Sequence, residues 1–280
     1  MNTLKIAGVP EHFNLPWQMC IENRNFQMEE IDLKWTSVPE GTGRLCQMLR
    51  TGETDIAVIL TEGIVKDLIA GNPSKIVQVY VESPLIWGIH VAADSSYTQL
   101  SDLEDKVVAI SRPGSGSQLM AYVNAANQGW ALPDYEVVDT LDGAVTALTE
   151  QKADYFMWER FMTKPLVDRG IFRRIADCPT PWPCFVIAVR NEVLENQPET
   201  IATVLDVINK KTAKFKEISN IDLILATRFN QKPEDIREWL SLTQWSQNPL
   251  DETMLNKIQN QLVELSVIDK KGTFAGMVHS

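Results

Sequence analysis

The chain has 280 residues, 44% of them hydrophobic and 22% charged, and 26 Lys+Arg against 37 Asp+Glu give a net charge of −11. That length and composition point to two globular units with real cores. The acidic balance speaks against a nucleic-acid partner, which would need a basic face, and no apolar run reaches the roughly 18 residues of a membrane span, so direct membrane insertion is not expected.

The chain opens on Met-Asn-Thr-Leu-Lys-Ile, without the basic and apolar stretches of an export signal. The expected compartment is therefore the cytoplasm, although a processed chain carrying an added Met would read the same and be periplasmic. Leu4–Val9 is a short strand, and Pro16-Trp17 opens a helix with Trp17 and Ile21 on one face. Ile31, Leu33 and Trp35 alternate in period 2. Gly41-Thr42-Gly43 precedes a helix carrying Leu45, Met48 and Leu49, stopped by Gly52. A strand over Ile56–Leu60 leads into a helix with Ile64, Val65, Leu68 and Ile69, again stopped by a glycine, Gly71.

The middle third repeats this grammar. Val107–Ile110 is a strand, Arg112-Pro113-Gly114-Ser115-Gly116-Ser117 a turn, and Leu119, Tyr122, Val123 and Ala126 one face of a helix ending at Gly129. Val137-Val138 is the core of a strand, Ala144–Leu148 a helix, and Tyr155–Trp158 a strand. Leu49 precedes Asp55 by the same six residues that separate Leu148 from Asp154, and both following strands end beside a glutamate, Glu62 or Glu159. This echo suggests two similar lobes. After a strand over Phe185–Val189 the chain turns helical, with Ile201, Val204, Leu205 and Ile208 on one face and Leu255, Ile258, Leu262 and Leu265 on another. Pro233 begins a further short helix, which carries Trp239. Extended segments at Val79–His90 and Cys178–Val189 serve as two crossings between the lobes.

The expected architecture is α/β, with two doubly wound lobes, a two-segment hinge and a helical C-terminal tail on the first lobe. The first lobe spans residues 1–84 and 190–280, the second 85–189. Cys20, Cys46, Cys178 and Cys184 form no Cys-x-x-Cys motif; Cys178 and Cys184 could pair, but reduced core thiols fit their scatter better.

Several motifs in this order resemble the type II periplasmic-binding-protein fold, and more narrowly the substrate-binding proteins for sulfonates and thiamine pyrimidine precursors. They are Gly41-Thr42-Gly43, Leu-Arg-Thr-Gly-Glu-Thr-Asp-Ile-Ala at 49–57, Leu-Thr-Glu-Gly at 60–63, Pro113-Gly114-Ser115-Gly116-Ser117, and Leu-Thr-Glu-Gln-Lys-Ala-Asp at 148–154. With no export signal in view, the chain is similar to a signal-less subgroup. The resemblance implies a solute-binding protein that closes a cleft on a small organic ligand, a heteroaromatic or a small organic anion, and serves an ABC-type transporter. An intracellular ligand sensor is the alternative. A thiamine-pyrimidine-precursor synthase is a further one, opposed by the single cysteine in Trp182-Pro183-Cys184-Phe185 where such enzymes carry a cysteine-rich iron motif.

In doubly wound lobes ligands sit beyond the carboxyl ends of strands. That rule nominates Glu11, His12 and Trp17, then Thr42 and Gly43, then Thr61 and Glu62 in the first lobe. It adds Arg112, Ser115, Gly116, Ser117, Trp158 and Glu159 in the second, with Trp182 on the returning crossing. The Gly114–Ser117 turn offers N–H groups, hydroxyls and a helix start to a carboxylate, sulfonate or phosphate. The same serines also suit plain helix capping. Each tryptophan and His12 can equally be packing residues. No nucleophile elbow, His-Glu-x-x-His or metal-type cysteine spacing is written here, so neither catalysis nor a metal or other cofactor is expected.

Overall fold

The computed structural model describes residues 2–279 and divides into two compact units. The first comprises Met1–Ser83, Trp182–Val263 and Ile268–Ser280, and the second Pro84–Pro181 with Glu264–Val267. The chain thus passes between units near residues 83/84 and 181/182, with a brief further excursion over Glu264–Val267.

The first unit is built on β1 (Asn2–Gly8), β2 (Ile31–Ser37), β3 (Ile56–Leu60), β4 (Ser74–Val81) and a late strand, Phe185–Arg190. In the second unit lie β5 (Ile86–Ala92), β6 (Val108–Ile110), β7 (Tyr135–Val137), β8 (Tyr155–Glu159) and β9 (Phe172–Pro179); the late strand is β10. The two sheets run β2-β1-β3-β10-β4 and β7-β6-β8-β5-β9. Each has one antiparallel member in the fourth place, β10 against β3 and β4, and β5 against β8 and β9. The other pairings are parallel, as strand–helix alternation demands.

Placement of β10 corrects the expected lobe boundary. Residues 185–189 read as part of the second lobe, yet Phe185 pairs with Leu60 and Val81, and Val189 with Ile56 and Lys75. Val186, Ile187, Ala188 and Val189 are fully buried, because a strand between two neighbours has both edges paired and both faces covered. The Cys178–Val189 segment is accordingly not one extended crossing. It is the end of β9, a short link and β10.

The sequence echo has a structural counterpart. Asp55 accepts a hydrogen bond from the Lys5 backbone N–H at 2.8 Å, and its own N–H donates to Lys5 O at 3.0 Å. In the second unit, Asp154 makes the same exchange with Val107, at 2.9 and 2.8 Å. Each aspartate locks the entry of one strand to its parallel neighbour. One helix in each unit, Thr42–Thr51 and Gly116–Gln128, ends as read: Gly52 and Gly129 sit at φ 74° and 73°, where a side chain would be strained.

Helices cover both sheets through apolar stripes. Leu45, Met48 and Leu49 of Thr42–Thr51 are buried in the first unit, as are Leu119, Met120 and Val123 of Gly116–Gln128 in the second. The C-terminal helices Pro198–Ala213, Ile221–Phe229, Pro233–Leu242 and Glu252–Glu264 carry Ile201, Val204, Ile208, Trp239, Ile258 and Leu262 into the interior. All four cysteines are free and buried. Among the described residues no helix is long and apolar enough to cross a membrane.

Candidate functional site

In the first unit the expected residues separate into two groups. Thr61 opens the helix Thr61–Ile69 just beyond β3, and its N–H and hydroxyl both donate to Cys184 O, at 3.1 and 3.3 Å. Glu62 follows, almost fully buried, and its Oε2 accepts from the Trp182 indole N–H at 2.8 Å. This bond joins the strand end to the residue where the chain re-enters the unit. Burial lifts the Glu62 carboxyl to about 7, against the opposing pull of backbone and Trp182 hydrogen bonds. Thr42 starts the helix Thr42–Thr51 close by: a Cβ on Gly63 would lie 2.2 Å from Thr42 Cγ2. Gly43 is exposed on that same helical turn.

Glu11, just past the end of β1, keeps part of its surface exposed, yet desolvation by its dense surroundings raises it to about 7 as well. β1 and β3 are paired neighbours with Gly8 opposite Val58. Two carboxyls near neutrality thus stand beyond the same end of one sheet. Such groups accept hydrogen bonds when ionised and donate one when protonated.

His12 and Trp17 form the other group, and here the structure corrects the expectation. His12 has no exposed surface and lies among the rings of Phe13, Phe229 and Trp239, at 5.9, 5.2 and 4.7 Å between centroids. Burial pushes its pKa down to about 4, the Gln231 side chain offsetting part of that. Trp17 is equally enclosed, stacked on Phe26 at 6.0 Å and 12° and tilted against Tyr80. Both are core side chains of the first unit.

The second unit gathers its serines. Ser117 Oγ accepts from the Ser111 N–H at 2.9 Å and lies 3.3 Å from Ser111 Oγ and 3.0 Å from Ser115 Oγ. Ser115 is the N-cap of Gly116–Gln128, its hydroxyl accepting from the Gln118 N–H at 3.4 Å. The turn is less open than the sequence suggests, since the Gly114 N–H is already engaged by Gln118 Oε1 at 2.7 Å. Arg112 is exposed at its edge.

Trp158 and Glu159 end β8. Trp158 is half-buried, stacked on Phe156 at 5.4 Å and edge-on to Trp87 at 6.2 Å. Glu159 is almost fully buried and accepts from the Met162 N–H at 2.6 Å, capping the turn after the strand. Sequence reasoning missed the pair beneath it: His90 Nε2 and Thr163 Oγ1 lie 2.9 Å apart, and the same hydroxyl donates to Glu159 O at 3.1 Å. No local pattern links residues 73 positions apart. Among the described residues, no three of His, Cys, Asp and Glu are grouped as a metal site requires.

Residues 87–178 match the family model described as Ca3427-like PBP. The structure superposes on the CA3427 gene product of Candida albicans with a TM-score of 0.90 and 26% identity, over 97% of this chain and 92% of that one. That protein is described as defining a family with the generic periplasmic-binding-protein fold. This chain has the periplasmic-binding-protein fold. The same fold relates it to the alkanesulfonate-binding protein SsuA of Xanthomonas axonopodis pv. citri bound to MOPS, with a TM-score of 0.83, 15% identity and coverage of 100% and 98%. Escherichia coli SsuA, an aliphatic sulphonate binding protein, aligns with a TM-score of 0.77 and 17% identity over 100% and 92%. No curated protein sequence matches significantly. The strand ends of the first unit carry carboxyls and Trp182, and those of the second carry hydroxyls and Trp158.

Proposed function

We propose that this protein is a solute-binding protein for a small organic ligand that is held by strand-end residues and not chemically converted. The supporting observation is the full-length likeness to binding-protein folds together with chemically distinct strand ends. The first unit offers Glu11 and Glu62, which suit an amino group. The second offers the Ser111, Ser115 and Ser117 hydroxyls and a helix start, which suit an anionic or carbonyl end. An amino-bearing heteroaromatic is the ligand class that uses both, with the half-exposed Trp158 ring as its stacking surface at about 0.5–1.5 kcal/mol. A sulfonate is the alternative, favoured by what the two SsuA proteins bind. An ABC-type transporter is the partner that either ligand would imply.

Native mass spectrometry of freshly purified protein tests this by the mass of any retained molecule. Aminopyrimidines and alkanesulfonates are then titrated by calorimetry. Glu62→Gln is expected to weaken an amino-bearing ligand about tenfold or more, equivalent to ~1.4 kcal/mol, and to leave a sulfonate unaffected. Failure of both classes to bind, or conversion of either into a product, refutes the reading.

A further inference from the structure

Away from the strand ends, a groove of about 340 Å³ crosses the first unit where Leu15–Glu22, Asn25–Met28 and Pro198–Ala213 come together. That volume falls within the range of small-molecule sites. Its floor is apolar: Cys20 and Val207 are buried, Ile218 is half-buried, and beside them Met28 stands 71% exposed. An exposed, flexible thioether next to an apolar floor is a surface that can adapt to a hydrocarbon.

The rim has the opposite character to the rest of this acidic chain. Lys210, Lys211 and Lys214 fall within five residues and all line the groove, against one carboxylate in the lining, Glu29. Lys210 is held by Asp206 one turn back and feels the charge of Glu29. Among the described residues no carboxylate pairs with Lys211 or Lys214. Burial pushes the Cys20 thiol up to about 11, and the charge of Lys211 partly offsets it.

We propose that this groove binds a small amphipathic anion, a carboxylate on a medium-length alkyl chain, its head between Lys211 and Lys214 and its chain along Val207, Ile218 and Met28. An inorganic anion would leave the apolar floor unused, and a neutral hydrocarbon would leave two cations without a partner. The proposal is independent of the strand-end reading, because every residue it uses lies outside that set.

The test titrates octanoate into the full-length protein labelled at methionine methyls, with the Met28 signal assigned by its loss in Met28→Leu. The expected result is a saturable shift of the Met28 methyl that weakens at high salt and weakens at least about tenfold in the Lys211→Gln, Lys214→Gln double variant, equivalent to ~1.4 kcal/mol. Should the double variant misfold, the exposed Lys214→Gln change alone decides, with weaker binding supporting the proposal and unchanged binding refuting it. An equal Met28 shift with 1-octanol or with sulfate overturns it, as does an unmoved Met28 signal. Anionic phospholipid vesicles that shift Met28 where octanoate does not would assign the groove to a membrane surface and overturn it too.

Discussion

Four titratable side chains, Glu11, Glu62, His12 and His90, pull the pH dependence of stability in opposite directions. Glu11 and Glu62 rise from 4.5 to about 7 on folding. Between those values the native state holds more protons than the unfolded one, so these residues lower stability as pH climbs through the window. His12 and His90 fall from 6.5 to about 4, mainly through burial. The native state then holds fewer protons, and stability is lost as pH falls from 6.5 towards 4. Over pH 4.5–6.5 the two effects offset each other. Glu62→Gln removes one carboxyl and leaves Glu11, so its melting temperature is expected to climb more steeply with pH over that window than the parent protein's, and to fall less as pH approaches 7. His12→Phe, which keeps an aromatic body among Phe13, Phe229 and Trp239, is expected to do the reverse and flatten the acid limb. Curves for variant and parent that run parallel would show that neither burial is coupled to folding. At this scale the sequence was least legible. Trp17 and Trp158 both follow the rule that strand ends meet ligands, but only the structure shows Trp17 enclosed and stacked on Phe26 and Trp158 half-open at the end of β8. Trp17→Ala is expected to cost about 3–5 kcal/mol in urea unfolding, whereas Trp158→Ala should cost less, because its ring gives up less buried surface.

Elements were more legible than residues, and where they failed the cause is visible. Strands with continuous apolar runs, such as β3 with Ala57, Val58 and Ile59 fully buried, read correctly. β9 did not, because an edge strand carrying Arg173, Arg174 and Asp177 lacks the alternation of a half-buried strand. The pairing of β10 within the first sheet is decided by contacts more than a hundred residues apart in sequence, as between Val186 and Val79, which no local pattern encodes. Helix packing offers a sharper check at Gly63 and Thr42. Any Cβ at Gly63 meets Thr42 Cγ2 at 2.2 Å, while the next atom, Thr42 Cβ, is 3.4 Å away. Gly63→Ala is therefore expected to destabilise by about 1–3 kcal/mol through overpacking. Thr42→Ser removes the offending methyl, so the double variant should recover most of the loss, a coupling that a double-mutant cycle measures directly. Additive losses would mean that the two helices separate instead of clashing.

On the scale of the whole molecule the two units differ in how the chain completes them. The second sheet draws all its strands from residues 86–179, and its core of Ala109, Ala144, Leu148, Phe156 and Phe172 lies within the same stretch. A fragment spanning residues 84–181 is accordingly expected to unfold cooperatively by itself and to give dispersed amide signals; a collapsed spectrum would show that it depends on the remaining chain. The first unit has no such continuous piece, because β10 fills the place between β3 and β4. This has a consequence during synthesis on the ribosome. Residues 1–83 emerge first, yet their sheet is missing a central strand until residues 185–190 follow. At about 5–20 residues per second the wait for the intervening hundred or so residues lasts roughly 5–20 s. Throughout it, β3 and β4 each present an unpaired edge, the kind of surface that recruits foreign strands. The half of the protein translated first is thus the last to close, and a nascent chain stalled before residue 185 would carry a finished second unit beside an open first one, its β3 and β4 cleaved early by limited proteolysis.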